Sequence, residues 1–243
     1  MLLSNPEFIK RAGTEFVTSW EMVREVPKVQ IDFGGGKKLT RTLRGNTILY
    51  LCDKSGKVVD AWPGFYTAQN FLESLSDSMS QLGRSEELKK QWHADHSTSF
   101  DKADSMITIS KMMVESPMIW AMGDESRPAA LPQPDTDLFS KLAGKIIDAS
   151  EDPETAKHVF RLIRRETKGM TEVDRENYVL NYDSLRNLRV VRPLVHLYLS
   201  SANKQLTPGD CKNDFYQTLL RIPINDAFLG LDVSFPGTPK IGG

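Results

Sequence analysis

The sequence predicts a mixed α/β (α+β) fold, with a block of strands and helices over residues 1–84 and a mainly helical region over residues 85–243. Three observations lead to this prediction. A continuous apolar run of strand length, TILYLC, is followed by a turn sequence and a second strand-like run, KVVDAW. Apolar residues then recur at helical spacing as far as Leu82. After Ser85, helical patterns predominate.

The N-terminal residues predict a helix followed by a strand. Ser4 and Glu7 have the spacing of a capping box, and Pro6 lies in the first turn. Apolar residues then recur at helical spacing as far as Phe16. The β-rich run EFVTSWEMV predicts an extended strand after this helix. The next run, KVQIDFGGGKKLT, predicts a strand around residues 29–33, a glycine turn and a basic stretch.

A hairpin and a closing helix are predicted next. In the turn DKSG, Asp53 can bond its own backbone and Gly56 can take a positive φ. Because TILYLC is apolar throughout, we expect a strand that is buried on both faces. Thr67 is expected to cap the following helix, and Gly83 to end it. The apolar stripe of this helix comprises Phe71, Leu72, Leu75, Met79 and Leu82.

The second block is expected to contain helices and one linker. The helical patterns cover about 85–92, 106–114, 139–147, 152–163 and 182–199. Residues 123–137 contain three prolines and no periodicity, which predicts a surface linker. Pro193 is expected to kink or split its helix, and Thr207 to begin the last one. We expect this block to pack on the first through the stripe near Phe160 and Ile163.

Charge and hydropathy exclude several classes of partner. The formal net charge of −1 gives no basic field that would recruit nucleic acid or an anionic membrane surface. No apolar run approaches the length of a membrane span. The first residues lack the basic and long apolar regions of a signal peptide, which predicts a cytoplasmic protein. A periplasmic or secreted location is expected instead if a signal peptide precedes Met1.

The segment TILYLCDKSGKVVDAWPGFYTAQNFLESL resembles the C-terminal half of a thioredoxin-like domain. That half consists of a strand, a tight Asp-x-x-Gly turn, an antiparallel strand that ends near a glycine, and a closing amphipathic helix. Upstream, SNPEFIKRAGTEFVTSWEMV resembles the helix and strand that precede this half. The resemblance covers about the first third of the chain, and it implies an incomplete thioredoxin-like sheet with flanking helices.

Two features of the family have no counterpart in this chain. The resemblance places the reactive CxxC pair upstream of the segment that begins at Ser4, and the chain has no such pair. Where the family has a cis-proline, this chain has Gly45, Asn46 and Thr47, for which a cis bond is far more costly. We therefore expect a thioredoxin-like protein without a complete dithiol active site, acting as a non-catalytic binding or structural module for a protein partner. The alternative is a thiol-disulfide oxidoreductase whose CxxC segment lies upstream of Met1.

The two cysteines, Cys52 and Cys211, form neither a CxxC pair nor a zinc ligand set. Cys52 lies in an apolar run, where burial raises the pKa of a thiol, so we expect a small core residue. Cys211 lies in the first turn of a helix, where the helix dipole favours a thiolate. Without a partner nearby, it is expected to be an ordinary helix residue. A disulfide between the two remains an open alternative.

Three of the histidines are candidates for chemistry. In WHADH, His93 and His96 lie one helical turn apart, with Asp95 and Asp101 nearby. Two histidines at this spacing can share a metal ion, but no third ligand is fixed, so a hydrated helix face is expected. His196, in the apolar stretch RPLVHLYLS, is expected to be a hydrogen-bonded, partly buried residue rather than a catalytic base. No catalytic, cofactor-binding or metal-binding residue is therefore predicted.

The remaining patterns predict ordinary structural roles. FGGGKKLT lacks the spacing of a phosphate-binding loop, so we expect a hairpin tip. A solvated basic face is expected for Lys37, Lys38, Arg41 and Arg44. Core filling is expected for Met106, Met112, Met113, Met118 and Met122. The tryptophans are too scattered along the sequence to form a stacking platform for nucleic acid.

Overall fold

The computed structural model describes residues 2–42, 45–97, 168–220 and 222–229. The strands are β1 (Lys28–Asp32), β2 (Lys38–Thr42), β3 (Ile48–Cys52) and β4 (Val58–Pro63). The α-helices are α1 (Pro6–Glu15), α2 (Ala68–Met79), α3 (Glu86–Ser97), α4 (Glu172–Arg186), α5 (Arg192–Ser201) and α6 (Pro208–Asp214). This mixture of helices and antiparallel strands agrees with the α+β class.

The N-cap of the first helix is Asn5, one residue later than the predicted cap, Ser4. Asn5 Oδ1 accepts hydrogen bonds from the backbone N–H groups of Glu7 and Phe8, each at 3.0 Å. The capping box at Ser4 is therefore wrong. Asparagine caps a helix as well as serine does, and with Asn5 as the cap, Pro6 takes the first helical position, which suits proline.

Residues 16–27 form neither a helix nor a strand. The strand expected from EFVTSWEMV is therefore wrong. Phe16 and Val23 are partly buried against the hydrophobic cores. Val17, Trp20 and Met22 are all exposed, so these three side chains have no surface to pack against. The preference of valine and tryptophan for strands comes largely from such packing, and without it the propensity does not decide the structure.

Two separate antiparallel hairpins account for the strands. In the first, β1 pairs with β2 from Lys28↔Thr42 to Asp32↔Lys38 across the glycine turn, as predicted. In the second, β3 pairs with β4 from Ile48↔Pro63 to Leu51↔Asp60. The turn of this second hairpin is also as predicted, with Gly56 at a φ of 76°.

The more deeply buried strand is β4, not β3. Val59, Asp60, Ala61 and Trp62 are each at most 1% exposed, whereas in β3 only Leu51 is buried. The expectation that TILYLC is buried on both faces is therefore wrong. β3 has no strand partner other than β4 within the described residues, and it is the helices that bury β4.

Two hydrophobic cores meet at β4. One core joins Ala61 to helical residues Val191, Leu194, Val195, Leu199, Cys211, Phe215 and Leu219. The other joins Val59 and Trp62 to Leu2, Leu51, Tyr66 and the predicted α2 residues Phe71, Leu72 and Leu75. The first core therefore takes residues from both sides of Gly83, and the strand block and the later helices share an interior.

Helix boundaries follow local chemistry in the later helices. α4 runs into a π-helical turn, Asn187–Val191, and α5 begins directly after it with Pro193 in its first turn. Proline lacks the N–H that a continuous helix requires, so the predicted split at Pro193 is confirmed. Thr207 and Asp210 form a reciprocal capping box at the start of α6, also as predicted.

Several sequence predictions lie outside the described residues. They concern Arg44, Asp101, the linker at 123–137, the stripe near Phe160 and Ile163, the five methionines, and the helices at 106–114, 139–147 and 152–163. Among the helices that are described, none is both long and apolar enough to cross a bilayer.

Candidate functional site: a buried polar cluster

Five polar side chains come together against β4. This polar cluster consists of Asp60, Ser78, His93, Arg192 and His196, and each member is at most 6% exposed. The cluster brings together residues of β4, α2, α3 and α5, so its members come from both sequence blocks. Burying polar groups is costly unless they are hydrogen-bonded, and the members of this cluster bond one another and the backbone of β4.

The cluster closes the edge of β4 that faces away from β3. The N–H of Ala61 donates to Asp60 Oδ1 at 2.7 Å, and the carbonyl of Ala61 accepts from Arg192 Nη1 at 3.0 Å. The carbonyl of Val59 accepts from His93 Nε2 at 3.0 Å. In a wider sheet these backbone groups would pair with another strand. Here side chains take the place of that strand.

The two ends of the same edge are closed in a similar way. The N–H of Val58 donates to the carbonyl of Leu206 at 2.8 Å. At the other end, Pro63 has no N–H, and its carbonyl accepts from the Tyr66 hydroxyl at 3.1 Å. Hydrogen bonds from outside the hairpin and from Asp60 therefore occupy this edge of β4 from Val58 to Pro63.

Arg192 contacts three consecutive residues of β4. Its Nη2 lies 2.9 Å from Asp60 Oδ2, its Nη1 lies 3.0 Å from the carbonyl oxygen of Ala61, and its Cζ lies 4.7 Å from the centre of the Trp62 ring. A planar guanidinium can make all three contacts at once, which a lysine ammonium cannot. The π-helical turn that precedes α5 places Arg192 at the first position of that helix, directly against the strand.

Both carboxylate oxygens of Asp60 accept hydrogen bonds. Its Oδ1 accepts from the N–H of Ala61, and its Oδ2 accepts from Ser78 Oγ and from Arg192 Nη2. Burial by itself raises the pKa of Asp60, but the opposing charge of Arg192 and the bonds to the carboxylate leave that pKa below its ordinary value. At neutral pH Asp60 is therefore an anion that neutralises Arg192, and it has no proton to donate to a substrate.

The two buried histidines face each other. His93 Nδ1 lies 2.8 Å from His196 Nδ1, and each ring is 4% exposed. Because the carbonyl of Val59 can only accept, His93 carries a proton on Nε2. With both rings neutral, His93 Nδ1 is then the acceptor and His196 Nδ1 the donor. The indole of Trp92 stacks edge-on against both rings, with centroids 4.9 and 5.0 Å away.

Both histidines are held in the neutral form. Burial lowers the pKa of His93 to about 4, although the charge of Asp60 opposes the shift. Burial also lowers the pKa of His196 to about 3, with Arg192 adding to the effect. The expected hydrogen-bonded role of His196 is confirmed, and its burial is nearly complete.

The hydrated helix face that was expected for His93 and His96 is wrong for His93, which is 4% exposed, and right for His96. His93 points into the interior, whereas His96 is exposed and its Nδ1 donates to the carbonyl of Trp92 at 2.7 Å. Among the described residues, no group of three or more histidine, cysteine, aspartate or glutamate side chains is placed to hold a metal ion. The structure instead joins His93 to His196, from a helix 103 residues away in sequence.

Both cysteines are present as free thiols. Cys211 is fully buried, and burial, with Asp210 and Asp214 adding to it, raises the pKa of its thiol to about 12. Burial also raises the pKa of the Cys52 thiol, with a smaller contribution from the charge of Asp53. At neutral pH each cysteine is therefore a thiol rather than a thiolate.

A surface cavity of about 400 Å³ lies away from the polar cluster, where α1, α2 and α4 meet. Its walls are formed by Leu2, Ser4, Asn5, Pro6, Thr67, Ala68, Asn177, Leu180 and Asn181. None of these lining side chains ionises near neutral pH. The cavity therefore has no general acid or base, and no lining side chain could activate the hydroxyl of Ser4 or Thr67 as a nucleophile.

Asp60, Ser78 and Arg192 were not among the residues that the sequence marked as candidates. A signal for two of them is visible in retrospect, because VVDAW and VVRPLV each hold one charge inside an apolar run, and the two charges have opposite signs. No protein-family model, curated protein or solved structure matches this chain. The functional interpretation of the cluster therefore depends on its own contacts.

Proposed function

We propose that the chain is a non-catalytic binding or structural module for a protein partner, related to the thioredoxin-like class through its hairpin-and-helix unit at residues 48–79. The state of the thiols carries this proposal. Cys211 is fully buried with a thiol pKa of about 12, and burial also raises the pKa of Cys52. Dithiol exchange needs a thiolate with a lowered pKa, and neither cysteine offers one.

The arrangement of acid and base groups supports the same proposal. Asp60 and Arg192 are hydrogen-bonded to each other, and His93 is hydrogen-bonded to β4 and to His196. None of the three lines the surface cavity. A general acid or base has to reach a substrate proton. The cluster instead stabilises the contact between β4 and the helices packed on it.

The thioredoxin-like relationship depends on a limited part of the chain. In support, β3, a turn stabilised by Asp53, β4 and α2 follow one another in the expected order. The upstream half of the resemblance has weaker support, because α1 is followed by the irregular residues 16–27. The relationship that we propose is therefore confined to the hairpin and the helix after it.

Thiol titration with Ellman's reagent at neutral pH tests the proposal. We expect slow labelling of Cys52 and none of Cys211 in the native chain, and labelling of both in urea. Cys52→Ser and Cys211→Ser variants assign each reaction to its residue. In an insulin-reduction assay with dithiothreitol, the chain should not exceed the rate of the reagent alone. Rapid native labelling, together with turnover that a Cys→Ser change abolishes, would overturn the proposal.

A further inference from the structure

Helix α3 buries little apolar surface. Its buried residues are His93 and Ser97, and Ser97 Oγ bonds within the helix, to the carbonyl of Ala94. Leu88 is 55% exposed. His93 joins α3 to β4 and to α5 by hydrogen bonds, and the ring of Trp92 packs edge-on against His196.

The bond between the two histidines depends on their proton count. With both rings neutral, one proton lies between the two Nδ1 atoms, and His196 donates to His93. A first added proton can be accommodated, because a cationic His93 donates to both the Val59 carbonyl and His196 Nδ1. A second added proton makes both Nδ1 atoms donors. Two N–H donors cannot remain 2.8 Å apart, so the bond between α3 and α5 is lost.

The charges around the pair do not compensate for added protons. Asp60 faces the pair from β4, but its charge is already balanced by Arg192 at 2.9 Å. Arg192 faces the pair from α5 and His96 faces it from α3, and both lower the pKa values of His93 and His196. Each proton therefore leaves a net positive charge in a buried site.

We propose that the His93–His196 pair is a proton-operated latch, which holds α3 against α5 while both rings are neutral and releases α3 when they take up protons. The contact of Arg192 with Asp60 and Ala61 stays in place during this release. The latch acts on one helix and leaves the strand and its cores intact.

The direction of the pH effect follows from linkage. Both histidine pKa values are lowered in the closed state and return to about 6.5 once α3 is released. The closed state is therefore fully favoured above about pH 6.5 and loses stability as the pH falls below that value. Between about pH 7 and pH 5, the equilibrium constant for release should rise about 20-fold for each histidine.

The carboxylate of Asp60 behaves in the opposite way. Its pKa lies below the ordinary value, so the stability that its ion pair contributes is present above an unfolded pKa of about 4 and is lost only in stronger acid. The histidines therefore respond to acid before Asp60 does. At a pH that protonates the two histidines, the Asp60–Arg192 ion pair is therefore still intact, and the effect of acid is confined to α3.

Hydrogen–deuterium exchange of the full chain, read by mass spectrometry, tests the latch. Labelling at about pH 7 and about pH 5 is compared after scaling for the intrinsic exchange rate at each pH. We expect peptides from residues 86–97 to lose protection at least about tenfold on acidification, while peptides from residues 192–201 keep theirs. Equal loss in both segments, or no loss in residues 86–97, would overturn the proposal.

Two variants separate the latch from general acid sensitivity. His196→Asn keeps an N–H near the position of Nδ1 but cannot be protonated, so the acid response of α3 should weaken by about 20-fold. His96→Asn, on the exposed side of the same helix, is the matched control and should respond like the parent chain. If His96→Asn abolishes the response, or His196→Asn leaves it unchanged, the pair is not the latch. If His196→Asn fails to fold, the exchange of residues 86–97 and 192–201 in the parent chain and in His96→Asn still tests the proposal.

Discussion

Arg192 Nη2 lies 2.9 Å from Asp60 Oδ2, and the two side chains are 7% and 0% exposed. These residues are 132 positions apart in the sequence, so the pair joins the strand block to a much later helix. Attraction between the two charges offsets the cost of burying them only because every oxygen of Asp60 is also hydrogen-bonded. The same geometry makes the loss of either partner costly.

Replacing Asp60 with alanine should lower the free energy of unfolding by about 3–5 kcal/mol, because Arg192 is left as an unpaired buried charge. Urea denaturation measures the change. Lys38→Ala is the control: its ion pair with Asp32 is about half exposed on each side, so the loss should stay below about 1 kcal/mol. Similar losses in the two variants would mean that the buried pair contributes no more than a surface one.

Gly64→Ala should destabilise the chain more than Gly56→Ala. Both glycines have positive φ values, 97° and 76°, so alanine introduces backbone strain at each position. A Cβ at Gly64 would also lie 2.5 Å from Asn187 Nδ2, which donates to the carbonyl of Phe65, whereas the space at Gly56 is open. Thermal unfolding should show that Gly64→Ala lowers the free energy of unfolding by about 1–3 kcal/mol more than Gly56→Ala does. Introducing Asn187→Ala should narrow the difference; if it stays the same, Asn187 is not its cause.

Removing the Tyr50 hydroxyl should leave stability unchanged or raise it. That hydroxyl is buried and finds no hydrogen-bond partner among the described residues, and burial raises its pKa above the ordinary value. Tyr66→Phe is the matched change, since the Tyr66 hydroxyl donates to the carbonyl of Pro63 at 3.1 Å. Chemical denaturation should give a loss of about 1 kcal/mol for Tyr66→Phe and none for Tyr50→Phe. The reverse order would contradict this assignment of hydrogen bonds.

Thr207→Ala should lower the free energy of unfolding by about 1 kcal/mol, because the capping box at the start of α6 is lost. Thr207→Ser keeps the hydroxyl that accepts from the N–H of Asp210, so most of the stability should remain. Urea midpoints of the two variants provide the test. An equal loss in both would show that the threonine methyl group, rather than the cap, is responsible.

Features set by neighbouring residues could be predicted from the sequence. The caps at Thr67 and Thr207, the positive φ at Gly56 and the split at Pro193 each depend on chemistry within a few positions. The hairpin at residues 48–63 belongs to the same group, since its turn is encoded next to its strands.

Features set by distant packing could not be predicted. Neither the burial of β4 nor the meeting of His93 with His196 has a local signal, because the partners are more than a hundred residues apart. The strand prediction for EFVTSWEMV is wrong for the same reason. Its β propensity has an effect only where a surface covers its side chains, and Val17 and Trp20 remain exposed.

The closed edge of β4 has a consequence for the newly made chain. Val59 and Ala61 are synthesised long before Arg192, which is needed to occupy the Ala61 carbonyl. At about 5–20 residues per second, ribosomes need roughly 7 to 26 s to make the 132 residues from Asp60 to Arg192. During that interval the strand edge is an open template for pairing with another chain. Nascent chains of this protein should therefore depend on chaperones until α5 has emerged.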